Sequence, residues 1–338
     1  MKKLLLTLGV CFALLSCSDE EQAASAVMKI GRSSQALVFL DCKAAAEDEF
    51  RFTFSQPVKI TSARFEPAVS IDSIENGSTV KVKLAERLPP GILLTADILV
   101  EDEQRNTINV IVPMRSRNNR MPRIVINEMR TADYTSPRAE FIEFVMKSAG
   151  NLGGMRVFIF GNTNAARQTV YEFSPVQVNQ GEYVMLNLRT PEAERHLVKD
   201  ELGSNLAESG GSNSSPNSRD FWIPGNTKRI HKTSVVYVLD QDDNVLASIM
   251  MSETPDAWWG RSEFADAAQF LFNKGAWKST DGTVCSPEQA VSSAGTTATR
   301  TICRDETAEN TKTAADWYVT VTSGHTPGRP NDPRRYNP

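Results

Sequence analysis

Alternation with a period of two constrains this chain more than any other feature. Phe50, Phe52 and Phe54 alternate with Glu49, Arg51 and Thr53, and Val80, Val82 and Leu84 enclose Lys81 and Lys83. Ala96, Ile98 and Val100 repeat the pattern, as do Ile108, Val110 and Val112. Successive side chains of a strand point to opposite faces, so this spacing specifies half-buried strands. Glu75-Asn76-Gly77 and Pro89-Pro90-Gly91 punctuate them as turns. Short strands with no helical period predict a β-sandwich over 35–114. RSRNNRMPR at 115–123 is polar, basic and closed by proline, which reads as a solvated linker.

From 124 the strands resume with IVINEM, AEFIEFVMKS, MRVFIF, YEFSPVQV and EYVMLNL, then a hairpin from TSVVYVLD to VLASIMM. The expected fold is mainly β, with two sandwiches in tandem, the second at 124–331 enlarged by loop and helical insertions near 190–232 and 252–298. The first insertion begins with a helical turn around PEAERHLVKDEL and ends in GSNLAESGGSNSSPNSRD, the composition of a mobile loop. In the second, Phe264, Ala267, Ala268 and Leu271 fall at helical spacing, with Ser262 as the expected N-cap. Residues 332–338 read as a disordered tail.

Composition narrows the function classes. The 338 residues carry 37 Lys+Arg against 41 Asp+Glu, a net charge of −4, so nucleic acid is not an expected partner. His196, His231 and His325 are the three histidines, each standing alone. There is no GxSxG elbow, HExxH or phosphate loop. A non-enzymatic protein without a cofactor is expected.

The chain opens MKKLLLTLGVCFALLSCS, two lysines followed by an apolar run from Leu4 to Leu15 that is too short to span a bilayer. Leu14-Leu15-Ser16-Cys17 resembles the lipobox of bacterial lipoproteins. The resemblance implies a signal peptide at 1–16, acylation (palmitate among the chains) of Cys17, and a flexible tether at 17–34. More than one acyl chain gives stable anchoring. Loss of 1–16 leaves 35 basic and 41 acidic side chains, so lipid rather than charge would hold the protein to the membrane. The implied location is the bacterial cell envelope, at the outer membrane or cell surface in a diderm.

Cysteine use fits export. Cys285 and Cys303 sit 18 positions apart, and closing that loop would contribute about 3 kcal/mol in an oxidising compartment. A disulfide is the expected reading, with a zinc pair as the rival; Cys42 is expected as a buried single thiol.

Two further resemblances bear on fold. FTFSQPV at 52–58, GSTVKVKLAERLPPG at 77–91 and the following ADILVED resemble bacterial Ig-like domains, which act as spacers and presentation modules. IVINE at 124–128, EFIE at 140–143, NLGG at 151–154, GEYV at 181–184, TRT at 299–301, DET at 305–307, ADW at 315–317 and TPGRPN at 326–331 resemble, in order, a lamin-tail domain. That family is an Ig-like β-sandwich found in nuclear lamins and bacterial surface proteins, often as a binding accessory beside nucleases and other hydrolases. The span here exceeds 200 residues, longer than the family needs, because of the two insertions.

Four clusters compete for a role. Glu128, Glu140 and Glu143 offer a two-carboxylate cation site or ties at the sandwich edge. Asp240, Asp242, Asp243 and Asn244 imitate the start of a calcium loop but sit where a hairpin turn is expected. Trp258-Trp259, followed by Gly260-Arg261, offers a platform for a sugar, a peptide or a membrane surface, or else closes the core. Arg261 is placed to stack on one of the rings. The leading expectation is an envelope lipoprotein presenting a lamin-tail-like interaction domain. Its alternatives are a carbohydrate- or protein-binding module using Trp258, Trp259 and Arg261, and an accessory factor for a secreted nuclease or other hydrolase.

Overall fold

The computed structural model describes residues 36–131, 139–161, 168–256, 258–279, 282 and 285–337. Cys17, the signal segment and the tether lie outside the described residues. The chain is mainly β, with its strands in several sheets, and it divides into two units. Described residues of unit 1 are 36–44, Glu49–Ala85 and Leu93–Met114; those of unit 2 lie in Ala45–Asp48, Glu86–Ile92 and 115–337.

Unit 1 is built from β1 (Phe39–Ala46), β2 (Glu49–Glu66), β3 (Ile71–Glu75), β4 (Gly77–Leu84), β5 (Leu93–Asp102) and β6 (Thr107–Arg115). They form one sheet in the order β3-β4-β2-β5-β6, with β1 also on β2. The first part of β2 pairs with β4 and the second with β5, and the register shifts between Thr53 and Val58 and between Ile60 and Ser62. A straight strand would hold Phe50 and Phe65 about 50 Å apart. Their ring centroids are 5.4 Å apart, so β2 doubles back and one sheet bends over its own core. Phe50, Phe52, Phe54, Val80, Val82, Ile98 and Val112 are buried there, as the alternation requires.

Unit 2 carries β7 (Ile124–Arg130), β8 (Phe141–Met146), β9 (Gly150–Asn151), β10 (Arg156–Phe160), β11 (Thr169–Glu172), β12 (Gln177–Val178) and β13 (Tyr183–Asn187). It continues with β14 (Ser218–Trp222), β15 (Ser234–Leu239), β16 (Val245–Ser252), α1 (Ser262–Asn273), β17 (Val291–Ser292), β18 (Ile302–Arg304) and β19 (Trp317–Val319). One sheet runs β11-β10-β15-β16-β17 and another β14-β13-β8-β7-β18-β19, with β9 and β12 as a separate pair. Both larger sheets are mixed, because β14 runs parallel to β13 and β17 parallel to β16. Ile126, Phe144, Leu186 and Phe221 from one sheet share an apolar core with Val157, Ile159, Val236 and Met250 from the other. Helix α1 adds Phe264, Ala267, Ala268 and Leu271, the four residues its spacing singled out. Its N-cap is Arg261 rather than Ser262, and no side chain caps it.

Three further expectations change. The Ser/Asn-rich stretch near 203–220 is held rather than loose. Glu201 Oε1 accepts from the amides of Glu208 and Ser209 at 3.0 Å, Oε2 accepts from the Asp220 amide at 2.8 Å, and β14 is buried along its length. The tail at 332–337 is likewise tied down: the Tyr336 amide donates to Val319 O at 2.8 Å, and Arg335 pairs with Asp305 at 2.5 Å. The Cys285–Cys303 disulfide is overturned, since both cysteines are buried and neither is in a disulfide. Cys285 belongs to the apolar core with Ile302, whereas Cys303, the next residue of β18, points to the opposite side near the Thr301 hydroxyl. The sheet itself separates the two sulfurs. Cys42 is a buried free thiol as well.

Candidate functional site

The turn after β16 places the two tryptophans in opposite surroundings. Trp259 is 6% exposed: its ring meets Phe264 edge-on at 6.4 Å, and Nε1 donates to Cys285 O at 2.9 Å. An indole carries one polar handle, and here that handle is satisfied inside the core. Trp258 is 71% exposed, the most exposed large apolar side chain among the described residues. Gly260, at φ +72°, then turns the backbone so that Arg261 can open α1. Lys232, just before β15, pairs with Glu253, just after β16, at 2.8 Å. The exposed indole of Trp258 is an apolar plate with a polar edge, suited to a sugar face or to an apolar side chain of a partner.

The acidic candidates are brought together differently. Glu128 and Glu143 are register partners on β7 and β8, beside a bulge at Ile126–Glu128, and both are fully buried. Glu128 Oε1 accepts from the Thr301 hydroxyl at 2.6 Å, and Oε2 from the Thr326 amide at 2.9 Å. Glu143 Oε1 accepts from Asn127 Nδ2 at 3.1 Å, and Oε2 from the Gly328 amide at 2.6 Å. Burial pushes the Glu143 carboxyl well above its ordinary range, aided by the neighbouring Glu128, and burial raises Glu128 too. Every oxygen of the pair is engaged by a protein donor, and the donors come largely from the TPGRPN segment. The arrangement is a clamp on 326–331. Glu140 stands apart, paired with Arg189 at 2.8 Å.

Asp240 to Asn244 form the β15–β16 turn. Asp240 Oδ1 accepts from the amides of Asp242 and Asn244 at 2.8 and 2.9 Å, and Asp243 adopts φ +58°. Arg117 engages Asp242 and Arg156 engages Asp243, each at 2.5 Å. Asn118, in the stretch expected as a solvated linker, is buried and donates to Asn151 O and Gly153 O.

Sequence reasoning passed over Arg130 and Asp220. Arg130 is fully buried at the end of β7, and burial pushes the Asp220 carboxyl up to about 7. The available signal was spacing: Arg130 lies two residues after Glu128, so a strand presents both on one face.

A family model described as the TP_1001 protein second domain matches residues 122–319, a span that takes in every strand of unit 2 from β7 to β19. A relative from Treponema pallidum (strain Nichols), described as an uncharacterized protein, is 26% identical over 192 residues. The match covers 53% of this chain and 46% of the relative, so the chain spans about half of that relative's length.

Proposed function

We propose, for a chain that belongs to the TP_1001 protein second-domain family, a non-enzymatic envelope lipoprotein that presents unit 2 to a glycan or protein partner. Acyl chains on Cys17 would anchor it, and unit 1 would act as a bacterial Ig-like spacer. Unit 2 would be a lamin-tail-like sandwich whose insertion after β16 bears the contact surface. The observation that carries this reading is the exposed indole of Trp258 beside the buried one of Trp259. A rigid core that fixes a neighbouring ring lets an outward aromatic bind without losing much conformational freedom. A binding role rather than catalysis is supported by Glu128 and Glu143, whose oxygens already hold the chain together.

The test is a glycan array and an envelope-extract pull-down with the chain from residue 18 onward, repeated with Trp258→Ala. The variant should weaken the recovered interaction by about 2 kcal/mol or more, roughly 30-fold, with unchanged thermal stability. Equal binding by Trp258→Ala in every recovered interaction sinks the reading of this surface. Anchoring is tested separately: Cys17→Ser should abolish fatty-acid labelling and membrane retention, and labelling that persists refutes it.

A further inference from the structure

We propose that unit 2 holds a second binding site, for a small molecule that joins one carboxylate to a flat apolar ring, in the cavity where Arg304 meets Trp277 and Trp317. The cavity measures about 260 Å³, just under the roughly 300–1,000 Å³ usual for drug-sized ligands, so its occupant is compact. Sheet topology opens it. β17 pairs with β16 only at Met251 and Ser252, and β18 pairs with β7 only at Met129 and Glu128. Residues 245–248 of β16 and 124–126 of β7 therefore have no strand beside them on that edge among the described residues, and both stretches line the cavity.

Arg304 carries the charge. It follows Ile302 by two residues on β18, so its side chain leaves the sheet on the apolar side, and it stands opposite Trp317 in register. Arg304 is 8% exposed, yet its guanidinium has neither a hydrogen bond nor an ion pair among the described residues; its backbone carbonyl alone accepts, from Asn331 Nδ2. None of its side-chain nitrogens is sealed from solvent, and the cavity is where they reach it. An enclosed charge without a partner costs folding free energy, and an anion that completes it recovers that cost.

The other charges around the cavity are already engaged or face bulk water. Lys312 Nζ donates to Gly275 O at 2.8 Å, and Lys274 lies over the Phe270 ring at 5.7 Å, so the site depends on neither. Asp316 is the carboxylate of the lining, and it is 2% exposed. It accepts from the Thr311 amide and hydroxyl and from the amides of Lys312 and Thr313. Asp305 pairs with Arg335, Asp243 pairs with Arg156, and Glu306 accepts from the Asn331 amide. Glu309, beside the lining Asn310, is exposed. One free guanidinium selects a single negative charge, and its planar fork fits a carboxylate.

The walls select the rest of the ligand. Trp277 is 2% exposed, with Nε1 donating to Gln289 O at 3.3 Å, and Trp317 is half-buried against the core. With Ile124, Ile126 and Ala247 these indoles enclose an apolar space that suits a flat ring.

Trp258 takes no part in this site, which fails independently of it. The experiment adds para-fluorobenzoate to the whole chain in detergent and follows it by fluorine NMR, with detergent alone as the blank. Para-fluorobenzamide supplies the ring without the charge, and acetate, followed by calorimetry, the charge without the ring. Para-fluorobenzoate should bind saturably and at least about 10-fold more tightly than either. Arg304→Met should reduce its affinity to that of the amide, with the melting temperature of the unliganded protein the same or higher. Ala247→Leu keeps Arg304, fills the cavity from β16 and should abolish binding, whereas Trp258→Ala should bind as the parent does. No saturable binding, equal affinity for acid and amide, a lower melting temperature in Arg304→Met, or binding retained in Ala247→Leu overturns the proposal.

Discussion

The two faces of the β14-β13-β8-β7-β18-β19 sheet are both buried, but by opposite means. Its inner face presents Ile126, Phe144, Leu186, Phe221 and Ile302 to an apolar core. Its outer face presents Glu128, Arg130, Glu143, Asn187 and Asp220 to the 191–217 insertion and the C-terminal segment. The inner face needs only shape and volume, and tolerates any chain that fills them. On the outer face each group needs a specific partner, because an unpaired polar group there costs more than a hydrogen bond returns. One sheet therefore has a side that supplies stability and a side that fixes the position of two long segments.

The sharpest way to break this comparison is to truncate one residue on each side. Phe144 is fully buried, with its ring edge-on to Phe173 at 6.2 Å, and Phe144→Ala should cost about 3–5 kcal/mol of unfolding free energy. Asn213→Ala removes a tie between Ala139, Asn187 and Arg130 and should cost about 1–3 kcal/mol. Urea unfolding monitored by tryptophan fluorescence measures both. Equal losses would show that the outer face contributes as much as the core, and the distinction would collapse.

The same contrast explains what was legible. Alternation located β2, β4, β5 and β6 of unit 1, because Phe50, Phe52 and Phe54 report their own face, and it passed over β1 and β3, where no such alternation stands out. Helix α1 announced itself through four residues at the right spacing. The bending of β2 was hidden, since period two is silent on whether a strand stays straight. The parallel strand β14 was hidden in a Ser- and Asn-rich stretch, where Glu194 and Glu201 supply the backbone with acceptors that composition does not reveal. Spacing alone suggested a Cys285–Cys303 bridge, and spacing cannot tell which side of a sheet a thiol takes. For the candidate site, the tryptophan pair was visible but its split was not, because burial of Trp259 depends on Phe264 and Cys285 in three dimensions. TPGRPN and the two glutamates were visible separately, and only the register of β7 against β8 joins them.

A smaller effect should separate the faces by pH. Burial raises the carboxyls of Glu128 and Glu143, and pushes Asp220 up to about 7. Groups with raised folded-state values bind more protons folded than unfolded, so their contribution is fully present below the ordinary carboxylate range and is lost as pH rises through the raised values. Stability should therefore decline from about pH 5 to about pH 8. Half-buried Asp332, lowered to about 2 by its hydrogen bonds from Arg334, acts in the opposite sense only at more acidic pH. Glu143→Gln imitates the protonated acid and should flatten this decline, whereas Phe144→Ala should shift the curve with its slope intact. Denaturation midpoints across the range decide it; a parent protein that gains stability with pH over this interval contradicts the outer-face account.

The smallest effect expected is none at all, from dithiothreitol. Cys303 lies on the outer face, where burial and the neighbouring Glu128 raise its thiol well above the ordinary range, while Cys285 lies in the inner core. In unit 1, burial and then Asp41 push Cys42 up to about 11. A thiol out of solvent is hard to reach, and Cys42 and Cys303 are also kept protonated, so all three should alkylate slowly in the native protein and fully in denaturant. A bridge closing 18 positions would contribute about 3 kcal/mol, and its reduction would lower the melting temperature by several degrees. Because the backbone of the sheet stands between the two sulfurs, the melting temperature should be the same with and without the reductant. A clear drop on reduction, with a linked Cys285–Cys303 peptide in the untreated digest, would place both thiols on one side of the sheet and undo the division of its faces.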